Sequence, residues 1–409
     1  MVELSTLKLT AEGILKRGGE GSIYRIPGSN QLAKVYHPAA RTDYRAKKVE
    51  RMTRLKVTGG MSGAVAWPDE PITDNGKTVG FTMAKLDAKP LNRLLSNDEC
   101  FKVDWCKRLK IVRSAAVTVA SLHSAGVVVG DCHADNFGYT DSGGTVLYDA
   151  DSLQLSDGRR LFPCTVAHDD CRPPEIANVD LSAKSALNER TDNYMLANLI
   201  FRILMGAHPY SGVRTSGSAS SVSGAISSTV KKGEFAYETN PSAVPQYAAP
   251  YDVVGCLKPL FKCCFVNGAK DPSARPAALE WVQAIDKLSS EKMGHCAKHG
   301  SYPARMGSCP FCKAKAPTVK RPKQAAQAIA RVPVATTAPV NAAAVAVALP
   351  AQTATKANAR AIDAADVGWT IAKILGIGAL VVVGIAAIAY LLPYILMGAI
   401  FIGIIASLD

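Results

Sequence analysis

No stretch of this sequence carries the paired cysteine spacing of a secreted disulfide framework. Cys100, Cys106, Cys132, Cys164, Cys171, Cys256, Cys263 and Cys264 are scattered, which excludes a small cystine-stapled fold and fits a reducing cytosol. The amino terminus, M-V-E-L-S-T-L-K-L-T, lacks the charged-then-apolar layout of a secretory leader, so the working part of the chain is expected in the cytoplasm. Acidic charge is in deficit: 47 Lys and Arg stand against 34 Asp and Glu, a formal net charge of +13. Yet the basic excess is spread over the amino-terminal region, the stretch 107–113 and the segment 313–331. That distribution argues against specific nucleic-acid binding and for phosphate ligands and anionic lipid.

What is present is enough for one large two-lobed domain with extras: 409 residues, 48% hydrophobic and 20% charged. Residues 22–36 alternate in strand fashion around a turn at 27–30, and 41–57 reads as a helix rich in Arg and Lys. A second strand region, 63–84, contains the turn D-N-G at 74–76. From 104 to 125 apolar residues recur at Trp105, Leu109, Val112, Ala116, Val119 and Leu122, a helix burying one stripe and stopped by Gly126. Residues 192–205 form another apolar helix, 211–228 a Ser/Gly-rich loop, and 253–265 and 277–289 two closing helices. Strands first and helices later is the order of a two-lobed α+β fold.

The most informative pattern lies at 130–151. G-D-C-H-A-D-N at 130–136 is followed by a hairpin-like gap and then L-Y-D-A-D at 147–151. An aspartate, an asparagine five positions on, and a further aspartate after a strand pair are what phosphoryl transfer requires. One acid orients a hydroxyl nucleophile; the amide and the second acid hold magnesium against a triphosphate. Asp131, Asn136 and Asp149 are therefore the candidate catalytic residues.

Taken with K-R-G-G-E-G-S-I-Y at 16–24, L-A-K-V-Y at 32–36, R-P-P-E at 172–175 and D-P-S-A-R-P at 271–276, this pattern resembles the protein kinase family over roughly positions 10 to 290. It is similar to the bacterial eukaryotic-like Ser/Thr kinases, among them kinase-domain proteins described with a helix-hairpin-helix. The resemblance implies a two-lobed protein kinase-like fold with ATP and Mg2+ (or Mn2+) between the lobes. Gly18 and Gly21 would approach the phosphates, with Lys16 standing where the family's first loop glycine falls. Lys34 would pair the α/β-phosphates, Glu50 of the following helix would pair Lys34, and the adenine would lie near Met83 to Leu86. Asp131 would accept or orient the substrate hydroxyl proton, while Asn136 and Asp149 would bind metal. Glu175 with Arg275 would form a buried pair, and Asp192 would tie the catalytic-loop backbone; these are structural roles.

Several positions depart from the family. Gly130 replaces the arginine that reads an activation-loop phosphate, which argues against that switch. His133 replaces a lysine near the γ-phosphate, and Asp151 replaces the glycine of D-F-G, as a second ligand or a turn acid. P-P-E and D-P-x-x-R-P in this order favour protein substrates with a Ser or Thr hydroxyl over small molecules.

Beyond 290 the character changes. C-A-K-H at 296–299 and C-P-F-C at 309–312 offer two ligand pairs, so Cys296, His299, Cys309 and Cys312 are expected to hold structural Zn2+ in a ribbon over 291–313. Residues 314–370 are an Ala/Pro-rich linker. Ile374 to Ile405 is uncharged and longer than the roughly 20 residues a helix needs to cross a bilayer, with Pro393 inside it. Either one helix crosses, kinked at Pro393, or two short segments form a re-entrant hairpin; a G-I-G at 376–378 has uncharged flanks unsuited to DNA. Lys356, Arg360 and Lys373 precede the segment, keeping the bulk of the chain cytoplasmic. The expected protein is a membrane-anchored ATP-dependent protein kinase, its domain over 1–290 and its anchor over 371–408. Against it stands a pseudokinase scaffold that binds nucleotide or partners without transfer.

Overall fold

The computed structural model describes residues 1–55, 63–182, 186–211, 230 and 232–314. Most of the expected loop at 211–228, the linker from 315 onward and the apolar segment 371–408 lie outside them. Among the described residues no helix is long and apolar enough to cross a membrane.

The alternating segments near the amino terminus build one six-stranded sheet. Its strands are β1 (Val2–Glu3), β2 (Ile14–Arg17), β3 (Gly21–Arg25), β4 (Gln31–Tyr36), β5 (Pro71–Asp74) and β6 (Lys77–Ala84), in the order β1-β5-β6-β4-β3-β2. The turns predicted at 27–30 and 74–76 join β3 to β4 and β5 to β6; Gly28, Asn75 and Gly76 supply the positive φ those turns require. Side chains of a strand alternate between faces, and β4 uses both. Ala33 and Val35 enter a cluster with Leu7, Ile26, Ile72 and Val79, whereas Lys34 and Tyr36 point to the other side. There, helix α1 (Asp43–Arg54) packs Val49 beside Tyr36, Phe81 and Met83. Thr42 caps α1 by accepting from the Arg45 N–H at 3.3 Å.

A ladder of three short strands, β7 (Lys89–Pro90), β8 (Phe137–Tyr139) and β9 (Thr145–Leu147), follows in the second lobe. Its β8–β9 hairpin is the one expected between Asn136 and Asp149. The Ala66 N–H donates to the Leu147 carbonyl at 2.9 Å and the Leu147 N–H to Ala64 at 2.8 Å, stitching the lobes at the base of this hairpin. The large lobe is built on α2 (Trp105–Ser124), α3 (Glu189–Met205) and α4 (Ala278–Ser289). Asp104 caps α2, accepting from Cys106 N at 2.8 Å, and Asn188 caps α3 in a reciprocal pair with Thr191. Every residue of α3 from Thr191 to Met205 is buried, as its near-continuous apolar sequence demands. The helix predicted over 253–265 is broken instead. A turn at Tyr251–Leu257 kinks at Gly255, whose φ is 48°, before Lys258–Lys262 and a wide turn at Cys263–Asn267.

Residues 293–314 do not stand apart. Strands β12 (Met293–Cys296) and β13 (Gly300–Pro303) pair antiparallel; the short pair β10 (Leu155–Ser156) and β11 (Leu161–Phe162) lies earlier in the chain. Cys309 and Phe311 join the large-lobe core. The Phe311 ring lies 5.2 Å from Phe101 and 5.7 Å from Trp105, and the buried Arg108 guanidinium sits 4.2 Å from its centroid, a cation–π contact. The Ser301 N–H donates to Asp104 Oδ2 at 2.6 Å, so the acid that starts α2 also anchors this hairpin.

Candidate active site

Between the lobes lies a cleft of about 420 Å³, lined by Gly18, Gly21, Lys34, Met83, Leu86, Asn136, Tyr148 and Asp149 among others. The glycine-containing turn closes on itself, the Gly18 N–H donating to the Gly21 carbonyl at 2.9 Å. Gly21 has a packing reason to be glycine as well, since a Cβ there would stand 2.6 Å from the Val35 carbonyl oxygen, next to Lys34 on β4. Apolar Ile23, Leu32, Ala66, Met83 and Leu86 line the opposite part, a surface suited to a flat heteroaromatic ring.

At the polar end Lys34 Nζ donates to Asp149 Oδ1 at 2.7 Å and to Asp151 Oδ1 at 2.5 Å. Burial pulls the lysine pKa down, but the adjoining Asp151 and Asp149 carboxylates outweigh it and hold the ammonium above its usual range. For Asp149 burial acts upward, and the Lys34 charge beside it wins, leaving that carboxyl below its usual value. Asp149 occupies the left-handed region at φ 57°, a conformation Asp and Asn tolerate better than other side chains.

Asp131 sits at the end of the buried segment after α2. Its Oδ2 accepts from Asn136 Nδ2 at 2.9 Å and its Oδ1 from the His168 N–H at 2.8 Å. Asn136 Nδ2 also donates to the Asp131 carbonyl at 2.9 Å, which leaves the Asn136 amide oxygen for other use. That oxygen and the Asp149 carboxylate, on two residues that line the cleft, are of the hard type a divalent cation prefers. Asp192, fully buried on α3, accepts from the Val129 and Gly130 N–H groups at 2.6 and 2.7 Å and faces His123 Nε2 at 2.9 Å. Arg275 and Glu175 form an ion pair at 2.6 Å, the arginine side chain wholly buried.

The same segment carries a stack of two imidazoles, His133 on His168, with centroids 3.8 Å apart and planes 1° from parallel. Burial, and then the neighbouring His168, push His133 down to about 4, so it is neutral at physiological pH. With Asp170 the pair brings three donor atoms within 4.8 Å. Parallel rings, however, cannot both aim an in-plane lone pair at one cation, so this arrangement is a packing contact between the segment around His133 and the one around His168.

No family model matches the chain. It is 31% identical over 335 residues to protein kinase YegI of Escherichia coli strain K12, covering 75% of this chain and 49% of the relative. It is 30% identical over 323 residues to the protein of the same name from Escherichia coli O157:H7, covering 73% and 48%. The chain thus spans about half the length of the curated relatives it matches. Over three quarters of its length the chain is thus similar to proteins named as protein kinases, which bears out the resemblance to that family.

Set against the usual protein kinase layout, two expectations are corrected. Glu50 does not pair with Lys34: its carboxylate is exposed and lies 4.0 Å from Arg54, because Lys48, Val49 and Met52 occupy the buried face of α1 and Glu50 falls on the other. Asp151 is not a turn acid: its side chain is 5% exposed, and besides Lys34 it accepts from the Tyr36 hydroxyl at 2.8 Å. Neither Tyr36 nor Lys48 was singled out in the sequence, although both periodicities point to them. Tyr36 is two residues from Lys34 on one strand, and Lys48 lies four before Met52 on one helix.

Gly130, in place of the kinase arginine, has φ 77°, and a Cβ there would meet Cys164 atoms at 2.6 and 2.7 Å. The activation segment packs directly where that arginine would start. Near the carboxyl end of the described residues, His299 Nδ1 lies 3.8, 3.5 and 3.3 Å from the sulfurs of Cys296, Cys309 and Cys312. All four donor atoms fall within 4.8 Å of one another.

Proposed function

We propose that this chain is a membrane-anchored, ATP-dependent protein kinase that transfers the γ-phosphoryl group to Ser or Thr of protein substrates. The observation that carries the reading is the 2.7 Å approach of Lys34, from the small lobe, to Asp149, from the large lobe, at the polar end of the cleft. Lys34 would pair the α/β-phosphates, the Gly18 and Gly21 backbone would approach them, and Met83 would border the adenine. Asp131, held by Asn136 and the His168 N–H, would orient the hydroxyl and take its proton. Asn136 and Asp149 fit a Mg2+ or Mn2+ ion, which when bound supplies charge neutralisation for the phosphates. Asp192 and the Glu175–Arg275 pair keep the loops in place.

The Cys296, His299, Cys309 and Cys312 cluster fits structural Zn2+. Its donor separations of 3.3 to 3.8 Å are close to the edges of a tetrahedron built on Zn–S bonds of about 2.3 Å. The Cys296–Cys312 sulfur separation of 3.7 Å is no disulfide. The apolar segment 371–408 is read as a single-pass anchor with the kinase on the cytoplasmic side, the arrangement that the basic residues before it favour.

Incubation of the full chain with γ-labelled ATP and Mg2+ or Mn2+, beside Asp131→Ala and Asp149→Asn, tests the activity. Label on the wild type alone supports transfer; no label on the wild type, with nucleotide still bound, supports the scaffold. Phosphoamino-acid analysis decides Ser/Thr, and fractionation with and without 371–408 decides the anchor.

A further inference from the structure

Two acids touch Lys34, and their surroundings differ. The Asp149 side chain is 53% exposed and lines the cleft. Asp151 is buried and absent from the cleft lining, and both its oxygens are committed, one to Lys34 Nζ and the other to the Tyr36 hydroxyl. A carboxylate open to the cleft can turn to a bound cation; one enclosed by an ammonium and a phenol cannot leave without stranding a buried charge. When nucleotide and metal draw Asp149 away, Asp151 is the anion that stays with the lysine.

The charge on α1 agrees with this division. In place of an acid, α1 buries Lys48 on its inner face, and the Asp151 charge is the largest favourable influence on that ammonium, although burial still takes its pKa down to about 8. Arg45, one turn earlier, lies over the Tyr36 ring at 5.3 Å. Helix cations therefore surround an acid donated by the loop, the reverse of a helix acid reaching for the strand lysine.

Resting on the nucleotide-binding reading above, we propose that Asp151 is the positioning residue for Lys34. Anchored by Tyr36 and backed by Lys48, it replaces the helix glutamate, so the lysine is set by the loop that carries Asp149 and not by the placement of α1.

The test uses the full chain and two readouts: acylation of Lys34 by an amine-reactive ester, followed by peptide mass spectrometry, and affinity for a fluorescent ATP analogue with Mg2+. Asp151→Asn is expected to raise the Lys34 labelling rate roughly fivefold, because a side chain released from one of its two carboxylate partners is freer to meet the reagent, and to weaken nucleotide binding roughly tenfold. Glu50→Gln is expected to stay within about twofold of wild type in both. Moving the acid to α1 with Lys48→Glu in an Asp151→Gly background should restore part of the affinity that Asp151→Gly alone loses. Should Asp151→Asn not fold, Asp151→Gly serves, with faster Lys34 labelling than wild type. Unchanged labelling and affinity in the Asp151 variants, or a Glu50→Gln variant that reproduces their effects, overturns the proposal. A wild type that binds no nucleotide overturns the kinase reading, and the labelling arm still decides the role of Asp151.

Discussion

Arg275 and Glu175 meet as a two-toothed fork, Nη1 to Oε1 at 2.6 Å and Nη2 to Oε2 at 2.7 Å. The same guanidinium donates to the Gly268 and Arg190 carbonyls at 2.9 and 3.0 Å and lies 5.0 Å from the Tyr194 ring. Glu175→Ala leaves that buried cation without its counter-charge. Urea unfolding should show a loss of about 3–5 kcal/mol; a loss under about 1 kcal/mol contradicts this account.

Gly130→Ala forces a side chain onto a positive φ and into Cys164. The expected cost is about 1–3 kcal/mol, with a drop in phosphoryl transfer because the next residue is Asp131. Gly130→Ala with Cys164→Gly should recover the part due to the clash and keep the part due to φ, a split that thermal melts of wild type, Gly130→Ala, Cys164→Gly and the double variant resolve.

Acid should destabilise the large lobe through His208. Its Nε2 faces the Asp170 carbonyl at 2.8 Å and its Nδ1 accepts from the Tyr210 N–H at 3.2 Å, so the ring is neutral. Burial, with Arg202 nearby, takes its pKa down to about 3, below the ordinary value near 6.5. The unfolded chain therefore binds the extra proton: the contribution is complete above about pH 6.5 and is lost as pH falls towards 3, on the order of 2 kcal/mol by pH 5. Melts of wild type and His208→Asn from pH 7.5 to 5 should show a flatter slope for the variant.

Chelation or Cys312→Ser should reach beyond the ribbon. Because Phe311 and Cys309 share the large-lobe core, metal loss is expected to lower the main thermal transition by roughly 5 °C, not to melt a separate module. Metal content by mass spectrometry should be near one zinc per chain, and a main transition untouched by chelation contradicts the coupling.

Local patterns explain what was legible in the sequence. Strand alternation and turn residues located β3 to β6, the apolar stripe located α2, and the order of Lys34, Asn136 and Asp149 located side chains that line one cleft, with Asp131 hydrogen-bonded to Asn136. Position along the chain could not disclose which acid meets Lys34, since Glu50 and Asp151 differ in which way their backbones point them. The break at Gly255 hid inside an apolar run that reads as continuous helix. Likewise the spacing of Cys296, His299, Cys309 and Cys312 announces a ligand set and is silent about Phe311 settling on Arg108.

The left-handed backbone at Asp149 limits which residues can succeed it. Asparagine and glycine fit that geometry without distortion, whereas branched or bulky replacements strain it. The easiest substitutions at this position therefore keep the shape of the hairpin and remove the anionic charge. A descendant would lose the phosphoryl transfer proposed above while remaining a well-formed protein, a short step from the proposed catalyst to a docking platform.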